Sequence, residues 1–290
     1  MSVDERAAVE RSSVLPAPAK QIAEDLLARL DRALPARIEG FYVVGSASIG
    51  AFRDGRSDVD FVAVADRELS RTELARLGAV HLGRWTSALV RDVAMRRRWP
   101  FVCNGIYVRA GDLARPPLDV TPVAAHVSGR FRTAQREGFD VSPVTWHILA
   151  RHGISLRGPD RERLRVHVDA AELRAWTRGN LSSYWQRWVE RVRRPGVNRA
   201  TVLGRRFIAG GVLGAPRLHY TLALGEIVSK EAAGVYALEA FEPRWRPLIE
   251  DALAYWREAP SAPRYRRHPG RRRHDAAAFV AHVIDSGNAL

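Results

Sequence analysis

Cysteine and lysine are nearly absent from this sequence. Cys103 is the only cysteine, which excludes an intrachain disulfide and any metal site built on several thiolates. Of 46 basic residues only Lys20 and Lys230 are lysines, so Lys230 stands out as a candidate functional cation. Long apolar runs are missing too. No stretch approaches the roughly 20 residues that cross a bilayer, and Met1 to Lys20 is polar, without the apolar segment of a secretory signal. These absences predict a cytoplasmic protein with no membrane partner.

What is present is globular. The 290 residues are 46% hydrophobic and 27% charged, enough apolar material for one large domain or two ordinary ones. The formal net charge of +14 suits an anionic partner, whether nucleic acid, an anionic membrane or a polyphosphate. Arginines distributed over solvated faces would give the same total, so charge alone leaves both readings open.

Ile22, Leu26, Leu27, Leu30 and Leu34 recur at helical spacing and predict a helix over 20–34, ended by Pro35 and Gly40. Phe41 to Val44, Val59 to Ala65 and Phe101 to Val108 read as strands, with a helix over 70–98 between the last two. From about residue 122 the pattern turns helical: 122–136, 143–152, 169–191, 197–209, 216–225, 229–240 and 244–258, with a loop near 153–168. The stretch from Pro260 to His274 holds six arginines and three prolines and reads as a flexible linker before a last short helix over 276–284. The expected fold class is α+β, a small mixed-sheet domain followed by an all-helical bundle. The expected division is 1–160, 161–260 and a basic tail, 261–290.

The chemistry concentrates in Gly45-Ser46-Ala47-Ser48-Ile49-Gly50 followed by Ser57-Asp58-Val59-Asp60-Phe61. A hydrophobic strand runs into Gly-Ser, which is expected to begin a helix, and two acids spaced i, i+2 open the next strand. Gly45 lets the backbone approach a phosphate. Amides at a helix start offer donors to an anion, and the Ser46 hydroxyl adds another. Asp58 and Asp60 face one side of a strand, where two carboxylates can hold Mg²⁺ that shares its shell with substrate phosphates. Glycine, serine and paired acids together describe a site for a metal-bound polyphosphate such as ATP.

This segment resembles the signature of the DNA polymerase β-like nucleotidyltransferases. Two further stretches narrow the resemblance to the streptomycin/spectinomycin adenylyltransferases: His147-Ile-Leu-Ala-Arg-His-Gly-Ile-Ser-Leu-Arg-Gly-Pro159, and Leu218-His-Tyr-Thr-Leu-Ala-Leu-Gly-Glu-Ile-Val-Ser-Lys-Glu-Ala-Ala233. Ala237-Leu-Glu and Arg246-Pro-Leu-Ile-Glu continue it, so that it spans about 20–258. The resemblance implies a nucleotidyltransferase domain at 1–160 and a helical domain that close around ATP and a drug. It implies transfer of AMP to a hydroxyl of an aminoglycoside-like acceptor, hence antibiotic resistance. By the same likeness Gly45, Ser46 and Ser57 belong to the nucleotide site and Asp58 and Asp60 hold Mg²⁺. Lys230 and Arg217 bind phosphate, and Tyr255 lies near the nucleotide.

One position departs from the family, which carries a third carboxylate on its next strand as general base. Asn104 stands in the matching stretch here, and an amide cannot take a proton. Asp92, Asp112 and Asp119 are the candidate substitutes. Asn104 therefore also raises a catalytically impaired nucleotide-binding or regulatory protein on the same fold, and the charge raises an RNA-directed nucleotidyltransferase. The aromatic set Trp176, Tyr184, Trp185 and Trp188 reads as core rather than a stacking platform.

Overall fold

The computed structural model describes residues 14–94, 103–134, 141–194 and 203–290, which form two compact units, 1–169 and 170–290. The expected α+β class holds: a six-stranded mixed sheet with helices in the first unit and helices alone in the second.

The first unit opens with α1 (Ala17–Ala33), begun by prolines whose fixed φ suits a first turn. Its Ala19, Ala23, Leu26, Leu27 and Leu30 are buried, the face that the sequence spacing marks. Strands β1 (Ile38–Val44) and β2 (Val59–Ala65) pair antiparallel, and α2 (Arg71–Ala94) crosses over to β3 (Cys103–Arg109), which lies parallel to β2. Phe41, Val43, Phe61, Ala63, Cys103 and Tyr107 join α1 and α2 residues in one core. This leaves the alternate residues Asp60 and Asn104 for the opposite sheet face.

The helix expected over 122–136 is instead a hairpin, β4 (Ala124–Val127) and β5 (Arg130–Thr133); residues 135 and 136 lie outside the described residues. Ser128 (φ 50°) and Gly129 (φ 79°) both adopt positive φ, the two-residue hairpin turn that matches strand twist. Pairing of β4 along the edge of β3 overrides the helical preference of Ala124 and Ala125. After α3 (Pro143–His152), the expected loop contains β6 (Ile154–Arg157), which pairs with the other edge of β1. Arg157 anchors it through two hydrogen bonds to the Asp31 carboxylate, at 2.6 and 2.7 Å. The strand order is β5-β4-β3-β2-β1-β6.

In the second unit α4 (Ala170–Asn180) continues through a π turn (Leu181–Trp185) into α5 (Gln186–Arg193). Trp188 and Trp185 from this run lie on Gly211 and Gly214 of α6 (Arg205–Leu224), where an added Cβ would fall 2.2 and 2.3 Å from the indole rings. Trp188 is thus core, while Tyr184 is exposed. The two helices expected over 197–209 and 216–225 are one across their described part, with Pro216 inside it; 197–202 lie outside the described residues. Next come α7 (Lys230–Ala240) and α8 (Arg246–Trp256).

The flexible linker expected over 260–274 is instead α9 (Pro263–Arg266) and the first turns of the 20-residue α10 (Pro269–Asn288), which contains the short helix expected over 276–284. Phe279, Val280, Val283 and Ile284 of α10 are buried in the core of the second unit. Arg272 is buried near the Asp251 carboxylate, 3.5 Å away, and the buried Tyr265 hydroxyl donates to Asp275. The arginines of this stretch conceal a helix that packs, so residues 261–290 belong to the second unit and not to a separate tail. Among the described residues no helix is long and apolar enough to cross a membrane.

Candidate active site

The carboxyl end of β1 and the start of β2 bring the motif together. Val44 pairs with Asp60, and Asp60 pairs with Asn104 on the far side. Asp58 lies one residue before β2. The Asn104 amide Nδ2 donates to Asp58 Oδ2 at 3.3 Å, so Asp58, Asp60 and Asn104 face one region of the sheet. All three are half-buried.

Gly45 has φ 69°, and a Cβ placed there would lie 2.3 Å from Asp60 Oδ2. Any side chain would combine left-handed strain with displacement of that carboxylate. The segment after Gly45 is a run of turns through Gly50, which corrects the expected helix start. One helix-like bond forms, Ile49 N–H to the Gly45 carbonyl at 3.3 Å, and the Ala51 amide then reaches back to Ser46. Gly50 at φ 69° ends the turn. The buried Ser48 hydroxyl donates to the Gly45 carbonyl at 3.1 Å and braces it. Ser46 is half-buried. Ser57 is buried, and its hydroxyl oxygen accepts the Arg53 amide at 3.0 Å, closing the turn over 53–57 that delivers Asp58.

Asn104 is fixed from both ends of its amide. Its Oδ1 accepts the Ser128 backbone N–H at 2.9 Å from the β4–β5 turn, which sets Nδ2 towards Asp58. Ser128 escaped the sequence reading; its signal was the Ser128-Gly129 pair between two β-rich runs. Among the candidate bases, Asp112 is buried and held by Arg109 and Arg115, whose bonds keep its carboxyl below the usual range against the effect of burial. Asp119 is exposed at the end of a short 3₁₀ turn (Pro117–Asp119), and the Asp92 side chain lies outside the described ones.

Behind the sheet, His81 of α2 stacks on His126 of β4 with centroids 4.3 Å apart, and its Nε2 meets the Tyr107 hydroxyl at 2.7 Å. Burial pushes the His81 imidazole down to about 2 and also lowers His126. Both are neutral core groups that support β3 and β4.

The second unit carries the other expected contacts. Ser229 caps α7 by accepting the Ala232 amide, which leaves Lys230 in its first turn. Lys230 Nζ lies 4.7 Å from the centroid of the Trp256 ring. Arg217 Nε donates to the Val228 carbonyl at 2.8 Å, two residues before Lys230, and Arg257 binds Glu231 at 2.6 Å. Arg217 and Lys230 are therefore neighbours at the start of α7, and Tyr255 lies farther along α8 beneath Arg205. Among the described residues no group of three or more His, Cys, Asp or Glu could hold a metal. The donor set at the motif is thus two carboxylates, which fits Mg²⁺, since that ion takes one or two carboxylates and completes its shell with water and phosphate oxygens.

No curated protein matches the chain by sequence. Residues 204–285 match the family model of the aminoglycoside adenylyltransferase C-terminal domain. Among solved structures, the spectinomycin adenyltransferase AAD(9) from Enterococcus faecialis, crystallised with ATP and spectinomycin, superposes with a TM-score of 0.62 at 12% identity. The match covers 92% of this chain and 98% of that one. The resemblance read from the sequence therefore holds: this chain is similar to the aminoglycoside adenylyltransferases, by sequence over 204–285 and by fold over most of its length.

Proposed function

We propose that this protein is a nucleotidyltransferase that transfers AMP from Mg-ATP to a hydroxyl of an aminoglycoside-like molecule in the cytoplasm. The observation that carries the proposal is the cluster of Asp58 and Asp60 beside a glycine whose α-carbon faces the Asp60 carboxylate. The adenylyltransferase match over 204–285 and the fold likeness support it.

In this reading Gly45 and the turn that follows, with Ser46, receive the triphosphate, and Ser57 holds the turn that presents Asp58. Asp58 and Asp60 are the Mg²⁺ ligands. When bound, the ion neutralises triphosphate charge and polarises the reacting oxygens. Lys230 and Arg217 bind phosphate, and Tyr255 borders the nucleotide. The acceptor hydroxyl oxygen bonds to the α-phosphorus as the bond to pyrophosphate breaks, and its proton passes to solvent water. Asn104 takes no proton in this step; it orients Asp58 through its amide.

A second reading has a specific observation behind it. Asn104 stands where the resemblance implies a basic carboxylate, and Ser128 locks it, so the protein could bind nucleotide without turning it over. A pyrophosphate-release screen over nucleotides and an aminoglycoside panel separates the two. Acceptor-dependent release supports the transferase. Mg-dependent ATP binding by calorimetry without release across the panel supports the binding protein, and absence of both removes the site.

A further inference from the structure

The basic excess of the second unit is concentrated in one place. Residues 170–290 carry 20 Lys and Arg against 11 Asp and Glu. Residues 187–194 and 264–275 hold ten of those arginines and only two acids, Glu190 and Asp275, whereas the rest of the unit is nearly balanced at ten against nine. An arginine-rich composition spread evenly over solvated faces would not produce this split.

The fold joins the two stretches. Arg273, in the first turn of α10, donates through Nη2 to the Arg194 carbonyl at 2.7 Å and through Nε to the Val192 carbonyl, so α10 begins against the end of α5. The buried Tyr265 hydroxyl donates to Asp275 and fastens α9 to the same end of α10. Arg187, Arg191, Arg193 and Arg194 are exposed on the α5 side. Arg264, Arg266, Arg267 and Arg271 are exposed on the other. Folding does not account for all of them. The first turn of α10 has no acid and carries Arg271, Arg272 and Arg273, where the helix dipole disfavours cations. Arg272 pairs with the buried Asp251 and Arg273 caps α5, but the exposed arginines around them gather like charge at that end.

We propose that this face binds the phosphate backbone of a duplex nucleic acid without reading its sequence. Backbone contacts by clustered arginines supply sequence-independent affinity through counterion release. A membrane surface fits less well, because such surfaces set Trp, Phe or Leu beside their cations. Here the apolar side of α5, Trp188, Val189 and Val192, is buried in the core. Single strands need aromatics on which successive bases stack. Among the described residues Tyr184 is the only exposed aromatic bordering the patch.

The test uses the full chain and labelled 20-base-pair RNA and DNA duplexes of random sequence in fluorescence anisotropy across a salt series. Arg191, Arg194, Arg266 and Arg267 are replaced together by Gln. A charge-matched control replaces the exposed Arg71, Arg76, Arg244 and Arg246. The wild type should bind duplex with a steep salt dependence. The patch variant should lose at least tenfold in affinity, with a slope of log K against log salt reduced by roughly 0.9 for each phosphate contact removed. The control should stay within about twofold. The pairs Arg191→Gln/Arg194→Gln and Arg266→Gln/Arg267→Gln, each checked by circular dichroism, should each give part of that loss if the fourfold variant does not fold. RNA and DNA bound alike indicate backbone recognition as such, and a preference for one form assigns the surface to that duplex. Equal weakening of patch and control variants, tighter binding to a single strand, or tighter binding to phosphatidylserine vesicles than to duplex would each overturn the proposal.

Discussion

Asp251 of the helical unit and the motif acids Asp58 and Asp60 of the sheet unit sit in contrasting surroundings. In the helical unit Asp251 is 2% exposed and saturated: Ser261 Oγ at 2.5 Å, the Ala262 amide at 3.1 Å, and the guanidinium groups of Arg205 and Arg272 at 3.4 and 3.5 Å. In the sheet unit Asp58 and Asp60 are half-buried at strand ends, close to a glycine and to an amide that orients one of them. A buried carboxylate ringed by donors is part of the framework. Two half-buried carboxylates on one sheet face can share a divalent cation, and that arrangement suits binding.

The largest effect should come from testing that contrast directly. Asp58→Asn or Asp60→Asn should abolish Mg-dependent ATP binding and pyrophosphate release while leaving the unfolding midpoint close to the wild type, because a neutral amide cannot offset metal and triphosphate charge. Wild-type turnover in both single variants would remove the metal site. Asn104→Glu sharpens the same comparison. It faces Asp58, so a carboxylate there should raise AMP transfer to a bound hydroxyl, by up to about 10²–10⁴-fold where proton removal limits the rate. A null result alongside a dead Asp92→Asn or Asp119→Asn variant would move the base to that acid.

Asp251→Ala should act on stability instead. It strands two guanidinium groups in the helical core and should cost about 3–5 kcal/mol in urea unfolding followed by tryptophan fluorescence. A loss below about 1 kcal/mol would place Asp251 among the dispensable surface pairs. Acid should weaken the sheet unit through His81. Its folded-state value near 2 lies below the unfolded value near 6.5, so both states are neutral above about pH 6.5. Below that, the unfolded chain takes a proton that the folded one refuses, and stability falls with pH by up to about 1.4 kcal/mol per unit. His81→Gln, which keeps a partner for Tyr107, should flatten that slope; an unchanged slope would assign the acid response elsewhere. The smallest effect is expected for Lys230→Ala, a loss of about 1–3 kcal/mol in ATP affinity by calorimetry, the range for a charge-assisted hydrogen bond. Unchanged affinity would leave Lys230 as a helix-end cation packed on Trp256.

Where pattern and packing agree, the sequence was legible. The β2 limits follow from Val59 to Ala65, and the α1 core face follows from leucine spacing, because burial of one face dictates both periods. The closeness of Gly45 to the paired acids was legible, because a tight approach and two acids at i, i+2 restrict residue type to few choices. The hairpin at 124–133 was not, since Ala124 and Ala125 favour helix and only the open edge of β3 makes them strand. Nor was the start of α10: the helix over 276–284 was read, but the arginines before it hid the anchors Asp251 and Tyr265 that hold its first turns.

By itself the sequence determined the α+β order, the motif with its two acids, and the likeness to the adenylyltransferases, all properties of local spacing and residue type. Only the tertiary structure decided what faces what. It turned the Asn104 amide to Asp58 by fixing its other end on Ser128. It also brought together two arginine-rich stretches some eighty residues apart in the chain, through Arg273 and the end of α5. Such pairings bring together residues far apart in the chain, and no local pattern encodes them. They depend on backbone hydrogen bonds and burial that exist only once the strands and helices have packed.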